Sequence, residues 1–221
     1  MNPLERSSPV PAPALPHAPL RFRRGQHVYV QGERALRLYR AETGLLRVVK
    51  VTPRGRVLTV RHVLPGDFFG EDALHGGTYQ HQVEVLTRAL VRILDPLTLG
   101  GPILQEVVRS LGEQLRRAMQ HEYNLQTGDL KQRVVRYLLE LADTPLGGED
   151  RGNHLFVRAT HELLAEGTAS TRESVSKIMT ELREAGLIES GYRHITLLNL
   201  EELSGLLSKL HLPGAKPGRQ S

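Results

Sequence analysis

The sequence predicts an α+β protein: an N-terminal antiparallel β-roll of the jelly-roll kind, one long helix and a C-terminal winged helix-turn-helix. Short apolar runs broken by Gly, Pro and charged residues occupy the first part of the chain, a pattern typical of antiparallel rolls. A heptad repeat follows and predicts the long helix. The last segment places two helical stretches before two short apolar runs, which is the order of a winged helix-turn-helix.

The composition excludes several classes of site. The 221 residues include no Cys, which rules out disulfides, thiolate metal sites and cysteine nucleophiles. No apolar run is long enough to span a membrane, so we expect a cytoplasmic protein without a membrane partner. The formal net charge of +5 favours a polyanionic partner, because Lys and Arg side chains at phosphates release condensed counterions.

The predicted β-roll spans residues 20–100. It follows a Pro-rich arm, residues 1–19, which holds six of the 13 prolines and is predicted to be disordered. Turn residues such as Pro53-Arg54-Gly55 and Pro65-Gly66 separate the apolar runs of the roll. These runs are residues 27–30, 45–49, 57–60, 83–86 and 90–94.

The predicted long helix spans residues 101–128. Alternating spacings of four and three residues align one narrow stripe, and six of its seven members are apolar. Such a stripe favours pairing with an identical helix, although an amphipathic helix packed on its own domain has a similar pattern. Its members are Leu104, Val108, Leu111, Leu115, Ala118, Glu122 and Leu125.

The winged helix-turn-helix is predicted over residues 129–212, and a flexible tail over 213–221. Asp129 is a suitable N-cap for a helix at 130–142. The remaining predicted elements are a polar turn at 147–152, a strand at 155–157, helices near 162–166 and 171–185, and a hairpin formed by 187–188 and 195–198.

The second helix of the helix-turn-helix has two unlike faces. Ser170 or Thr171 supplies its N-cap, and Val175, Ile178 and Leu182 form an apolar face that packs on the preceding helix. Arg near a helix start has the reach and fork geometry to bind a guanine edge, and Glu can accept a hydrogen bond from cytosine N4. A solvated surface is the alternative for this polar face. Its members are Arg172, Glu173, Ser176, Lys177 and Thr180.

Residues 168–177 and 182–188 resemble the DNA-binding signature of the cyclic-AMP receptor / fumarate–nitrate regulator (CRP/FNR) superfamily of bacterial transcription regulators. The N-terminal half is similar as well, because Tyr39, Gly44 and the segment Pro65-Gly66-Asp67-Phe68-Phe69-Gly70-Glu71 match the family's cyclic-nucleotide-binding β-roll. The resemblance extends over residues 20–207. Within the superfamily, the sequence resembles stress-responsive members from extremophilic bacteria.

The resemblance implies a homodimer that binds a palindromic, TGTGA-like operator in double-stranded DNA and contacts RNA polymerase. Lys177 replaces an Arg of the cyclic-AMP receptor. A bidentate contact with guanine is therefore replaced by the weaker attraction of a point charge. Gly167 and Thr168 replace an apolar pair, and we expect the first helix to end frayed or bent. The implied base readers are Arg172, Glu173 and Lys177. The implied phosphate contacts are His161, Thr171, Ser174 and His194.

The nucleotide pocket departs further from the family. Gly70 and Glu71 match it, but Thr78-Tyr79-Gln80-His81 replaces the segment that carries the Arg-Ser phosphate contact. The positions of the adenine-contacting hydroxyls hold Ala118 and Met119, so Tyr79 and Gln80 remain as effector-pocket candidates.

Enclosing a phosphate without a cation is costly, unless Arg56, Arg61 or Arg88 turns in from a neighbouring strand. We therefore expect DNA binding that does not need cyclic AMP. The alternative is a cyclic-AMP-activated regulator with an altered phosphate site.

Three rival interpretations remain. The sequence His161-Glu162-Leu163-Leu164-Ala165 approaches a zinc-protease helix, but Ala165 replaces the second ligand, so we predict no catalytic residue and no metal site. A nucleotide-binding protein whose helix-turn-helix contacts proteins would lack salt-dependent, sequence-selective DNA binding. A haem sensor that uses one of the ten His would show a haem absorption spectrum.

Overall fold

The computed structural model describes residues 18–191 and 193–208. The predicted tail, and all of the predicted Pro-rich arm except Ala18 and Pro19, lie outside the described residues. The described chain forms two four-stranded sheets, a long helix, and then a third four-stranded sheet with further helices. The predicted α+β order is confirmed.

The β-roll consists of eight antiparallel strands in two sheets. The strands are β1 Leu20–Phe22, β2 His27–Tyr29, β3 Leu38–Thr43, β4 Leu46–Val51, β5 Val57–Val63, β6 Phe68–Phe69, β7 Gln82–Val85 and β8 Ala89–Leu94. One sheet has the order β1-β8-β3-β6 and the other β2-β7-β4-β5. Short 3-10 turns follow β6, at Glu71–Leu74, and β8, at Pro96–Thr98.

Aromatic and aliphatic side chains fill the space between the two sheets. Leu46 and Val48, two residues apart on one face of β4, are both buried in this cluster. The ring of Tyr29 stacks on Tyr79, with centroids 3.7 Å apart, and on Tyr39 at 5.5 Å. This cluster makes the roll a packed core.

The long helix α1 spans Gly101–Gln126 and has Pro102 in its first turn, where Pro removes no helical hydrogen bond. Val107 is fully buried in a cluster with Phe68 of the roll. The side chain of Gln114 donates to the backbone oxygen of Phe68 at 2.7 Å. One face of α1 is therefore fixed to the roll.

Helix α2 spans Leu130–Ala142, as predicted. Asp129 Oδ1 accepts the backbone N–H of Gln132 at 2.9 Å, and Gln132 Oε1 accepts the backbone N–H of Asp129 at 3.1 Å. This reciprocal pair is a capping box, so the predicted N-cap is confirmed.

The C-terminal part is a winged helix-turn-helix, as predicted. Its elements are β9 Gly147–Glu149, β10 Leu155–Val157, α3 His161–Gly167, α4 Arg172–Glu184, β11 Ile188–Gly191, β12 His194–Leu197 and α5 Leu200–Ser208. The strand order of its sheet is β11-β12-β10-β9. The buried faces of α2, α3 and α4 pack together with this sheet in one hydrophobic cluster.

Two elements of this part differ from the prediction. Residues 147–149 were expected in a polar turn but form β9, which pairs with β10. Gly148 lies opposite Phe156 in this pair, and the Phe156 ring leaves no room for a Cβ there. Helix α5 was not predicted. The sequence feature that could have predicted it is Asn199, three residues before Glu202. Asn199 Oδ1 accepts the backbone N–H of Glu202 at 3.0 Å, as an N-cap does.

Arg47 joins the β-roll to the helix-turn-helix. Its buried guanidinium donates to Glu84 on β7 at 2.6 Å and to Glu166 on α3 at 2.5 Å. A buried charge needs such partners, because an unpaired one loses its hydration without compensation. Leu45 and Leu86 of the roll also belong to the hydrophobic cluster of the C-terminal part.

Candidate nucleic-acid interface

Residues 168–171 form the turn between α3 and α4. Ala169 has a φ of 52°, a left-handed conformation that is uncommon outside Gly. The backbone N–H of Ser170 donates to Ala165 O at 2.9 Å. Of the two predicted caps, Thr171 is the N-cap of α4, and its Oγ1 accepts the backbone N–H of Ser174 at 3.2 Å.

Helix α4 buries one face and exposes the other. Val175 and Leu182 are fully buried and Ile178 is half-buried, as predicted. Met179 is also buried; the prediction missed it, although its position four residues after Val175 places it on the same face. The exposed residues of the opposite face include Arg172, Glu173, Lys177 and Thr180.

No carboxylate of the described residues engages the cations of this exposed face. No salt bridge in residues 18–191 and 193–208 involves Arg172 or Lys177. Both side chains belong to α4, and the N-terminus of a helix carries a partial positive charge of its own. The face can therefore accept a polyanion.

Two of the predicted phosphate contacts lie in the first turn of α4. Thr171 Oγ1 donates to Ser174 Oγ at 3.0 Å. A hydroxyl pair at a helix N-terminus is a common setting for a phosphate oxygen.

The other two predicted phosphate contacts are imidazoles. Nδ1 of His161, at the start of α3, lies 2.8 Å from Ser176 Oγ. Burial, and then the charge of Arg172, lowers the pKa of His161, so its imidazole is harder to protonate than an exposed one. His194 begins the second strand of the wing, and its ring stacks on Phe156 with centroids 4.4 Å apart.

The end of α3 is packed, and the expectation of a frayed end is wrong. A Cβ added to Gly167 would overlap the ring of Tyr137 on α2, so the two helices approach each other more closely than a larger residue would allow. Thr168 is buried and donates its hydroxyl to Leu164 O at 2.7 Å.

The predicted nucleotide pocket contains an ion pair. Arg61 on β5 donates from Nη1 and Nη2 to the two carboxylate oxygens of Glu71, at 2.8 and 2.9 Å, and from Nε to Gln114 Oε1 at 3.0 Å. Burial acts to raise the pKa of Glu71, but the hydrogen bonds and the charge of Arg61 outweigh it and hold that pKa below its ordinary value. Gly70, at a φ of 83°, lies against the ring of Tyr39.

Tyr79 and Gln80 do not offer free donors to this pocket. Tyr79 is buried in the aromatic cluster, and its hydroxyl donates to Arg37 O at 2.7 Å. The assignment of Tyr79 as an effector contact is therefore corrected: its ring packs in the core, and its hydroxyl is already bonded. Gln80 is exposed, and its side chain donates to Thr78 O at 3.1 Å.

Helix α1 exposes an apolar stripe on the side turned away from the roll. The predicted members Leu104, Val108 and Leu115 are 45%, 63% and 62% exposed, and Met119 and Tyr123, which the prediction omitted, are 64% and 61% exposed. A contiguous stripe of large exposed apolar side chains is typical of an interaction surface. The half-buried members are Leu111, Ala118 and Leu125.

These features define a class of protein: a DNA-binding regulator that combines a nucleotide-domain-like β-roll with a winged helix-turn-helix. The family model described as "Cyclic nucleotide-binding domain" matches residues 19–99, and the one described as "Crp-like helix-turn-helix domain" matches residues 132–206. No helix of the described part of the chain is long and apolar enough to cross a membrane.

Known proteins resemble the chain over most of its length. The transcriptional regulator LdrP of Thermus thermophilus is 50% identical over 183 residues, which cover 83% of this chain and 93% of the relative. The transcriptional regulator SdrP of the same species is 39% identical over 170 residues, covering 77% and 83%.

A crystal structure of a CRP-family transcriptional regulator from T. thermophilus has a TM-score of 0.83 at 47% identity and covers 86% of this chain and 97% of that one. The chain belongs to the CRP/FNR family of transcription regulators. Like the relatives it matches, it is a transcription regulator and not an enzyme.

Proposed function

We propose that the chain acts as a homodimer on a palindromic, TGTGA-like operator in double-stranded DNA and that it binds there without cyclic AMP. Residues 20–100 are then the sensor domain, 101–128 the dimerisation helix and 129–212 the DNA-binding domain. The observation that carries the proposal is the capped, exposed face of α4, where no salt bridge of the described residues engages Arg172 or Lys177. RNA polymerase is the proposed protein partner and the cytoplasm the proposed compartment.

The apolar stripe of α1 supports the dimer. Pairing two copies of α1 along Leu104, Val108 and Leu115 would remove these exposed side chains from water, which is favourable by about 25 cal/mol per Å² of apolar area. A two-fold axis along the pair makes the interface self-complementary. It also requires two operator half-sites about one DNA turn, or roughly 34 Å, apart.

The recognition chemistry follows from the exposed face of α4, the proposed recognition helix. Arg172 can bind the O6 and N7 atoms of a guanine with its fork of donors, and Glu173 can accept from a cytosine amino group. Lys177, one turn later, contributes a point charge. The proposed phosphate contacts around them are His161, Thr171, Ser174 and His194.

The ion pair in the roll supports binding without an effector. A cyclic nucleotide would have to compete with Arg61 for Glu71, and its phosphate would find no Arg-Ser pair in the segment 78–81. Arg61 also donates to Gln114 of α1. The roll and the long helix are therefore already connected at the pocket, without a bound ligand.

Arg61 is also the observation that favours the second candidate, a cyclic-AMP-activated regulator with an altered phosphate site. If Arg61 released Glu71, its guanidinium could bind the phosphate. A relative in Mycobacterium tuberculosis, 27% identical over 196 residues, is named a CRP-like cAMP-activated global transcriptional regulator.

A DNA-shift titration at fixed salt tests the proposal and separates the two candidates. A palindromic TGTGA duplex and a scrambled duplex are titrated with nucleotide-free protein, with and without cyclic AMP. We expect selective binding of the palindrome in both conditions. Selective binding that appears only with micromolar cyclic AMP would establish the second candidate, and equal retention of both duplexes would contradict sequence-specific binding.

A further inference from the structure

The β4–β5 hairpin of the roll reaches the turn that precedes α4. Nη2 of Arg56 donates to the backbone oxygen of Ser170 at 3.2 Å. Ser170 directly precedes the N-cap Thr171 and lies two residues before Arg172. A cation of the sensor domain therefore sits next to the start of the proposed recognition helix.

The tip of this hairpin has a defined backbone. Thr52 N–H donates to Arg56 O at 2.9 Å, and Gly55 N–H donates to Thr52 O at 2.8 Å. Thr52 Oγ1 also accepts the backbone N–H of Arg56 at 3.1 Å, and Gly55 takes the positive φ of 76° that closes the turn. The tip consequently presents Arg54 and Arg56 from a closed turn, and both are exposed.

The charge at the tip is not neutralised by the part of the chain that the structure describes. No salt bridge of the described residues involves Arg54 or Arg56. The guanidinium of Arg56 has five N–H donors, and the bond to Ser170 uses one of them. That bond restrains the side chain, so less conformational entropy is lost when the remaining donors bind an anion.

We propose that Arg56, with Arg54 beside it, binds the DNA backbone next to the recognition helix, so that the sensor domain contributes directly to DNA binding. The inference rests on the proposed function, because it needs α4 in the major groove. A duplex whose base edges reach Arg172 brings the phosphates of the groove wall to the N-terminus of that helix. Arg56 stands at that N-terminus, and its fork of donors matches two phosphate oxygens.

The salt dependence of DNA affinity measures such contacts. In B-DNA, log K falls against log salt with a slope of about −0.9 for each phosphate neutralised. Arg56→Ala removes one contact per protomer, so we expect the slope of the dimer to become shallower by about 1.8, and Arg54→Ala to have an effect of the same sign. Both should weaken the TGTGA duplex and the scrambled duplex by the same factor, because phosphates carry no sequence information.

Three further variants make the test specific. Arg34→Ala makes the same charge change at an exposed residue of the roll that precedes β3, and it should leave the slope unchanged. Arg56→Lys keeps the charge without the fork, so the slope should be retained. Arg172→Ala should reduce selectivity while Arg56→Ala does not.

The outcomes distinguish failure of this inference from failure of the proposed function. Absence of selective binding by the unmodified protein would contradict the proposed function itself. Selective binding with an unchanged slope for both Arg54→Ala and Arg56→Ala would overturn the inference alone. The inference is also overturned if both variants bind DNA normally but lose transcription by RNA polymerase, since the tip would then contact protein. If Arg56→Ala lost selectivity with an unchanged slope, Arg56 would position the turn before α4 and would not bind a phosphate, which also overturns the inference.

Discussion

Arg61 and Glu71 form a two-point ion pair inside the β-roll, with N–O distances of 2.8 and 2.9 Å. The side chain of Arg61 is 13% exposed and that of Glu71 is 35% exposed. Gln114 of α1 accepts a third hydrogen bond from the same guanidinium. One residue of β5 thus connects the 3-10 turn after β6 with the long helix.

The first prediction concerns the strength of this pair. We expect a coupling free energy of about 1–2 kcal/mol in a double-mutant cycle of Arg61→Met and Glu71→Gln, below the range for fully buried pairs because Glu71 is partly solvated. The measurement is urea unfolding of the protein, the two single variants and the double variant. Strictly additive single effects would contradict a direct interaction.

The second prediction is that the unfolding free energy falls at acid pH and that part of this fall depends on Glu71. Because the folded-state pKa of Glu71 is held below its ordinary value of 4.5, its ionised form stabilises the fold above that value. This contribution is lost as the pH falls through the folded pKa. We expect Glu71→Gln to be less stable than the unmodified protein at pH 7, with the difference shrinking below about pH 4.

Unfolding free energies measured from pH 3 to pH 7 give this difference directly. Glu201→Gln makes the same charge change at an exposed residue of α5 and serves as the control. A stability difference for Glu71→Gln that is constant over the whole range would refute the role assigned to Arg61.

The third prediction compares two helical glycines. Gly167→Ala should destabilise the fold by about 1–3 kcal/mol, because its Cβ would overlap the ring of Tyr137 and force α3 away from α2. Gly205→Ala, in α5, meets nothing within 4 Å and should stabilise by up to about 1 kcal/mol through helix propensity. Thermal unfolding should shift in opposite directions for the two variants; a shared direction would contradict the close approach.

Local chemistry made much of the fold predictable. Some features depend on residues within four positions of one another, so spacing alone identifies them. They are the N-caps Asp129 and Thr171 and the two faces of α4. The exposure of Arg172, Glu173 and Lys177 was predictable for the same reason, whereas their role as base readers is implied by the family resemblance and stays a prediction. Their place on an exposed face follows from the burial of Val175 and Leu182 opposite them.

Contacts between distant segments were not predictable from spacing. Gly167 was expected to weaken α3, and only the position of Tyr137, 30 residues earlier in the chain, shows why a glycine fits. Tyr79 was expected to face a ligand, but the stack with Tyr29 determines its orientation. Arg47 and Glu166 are 119 positions apart, and no local pattern connects them.

The fourth prediction concerns the dimer. Val108→Asp combined with Leu115→Asp should give a folded monomer, because both side chains are exposed in the protomer but would place unpaired carboxylates in a helix pair. Light scattering gives the mass, and circular dichroism shows whether the fold is kept. Arg109→Asp, at an exposed position next to Val108, is the control and should remain dimeric.

Leu111 requires a separate expectation, because it packs against the buried cluster that contains Phe68. Leu111→Asp should lower the unfolding free energy as well as dissociate the dimer, whereas the Val108 and Leu115 changes should affect association alone. A folded Val108→Asp, Leu115→Asp protein that keeps the dimer mass would show that the stripe is not the interface.

The fifth prediction is that Arg172 reads a base. Arg172→Ala should weaken binding to the TGTGA palindrome by roughly 1–3 kcal/mol per half-site and relax the preference at one guanine. His194→Ala, on the wing, should weaken all duplexes about equally, since a phosphate contact carries no sequence information. Arg183→Ala is the matched control, because Arg183 is exposed in the last turn of the same helix, away from the capped end. Equal loss of affinity for cognate and scrambled DNA in Arg172→Ala would make Arg172 a phosphate contact and would shift the reading register of α4 away from its first turn.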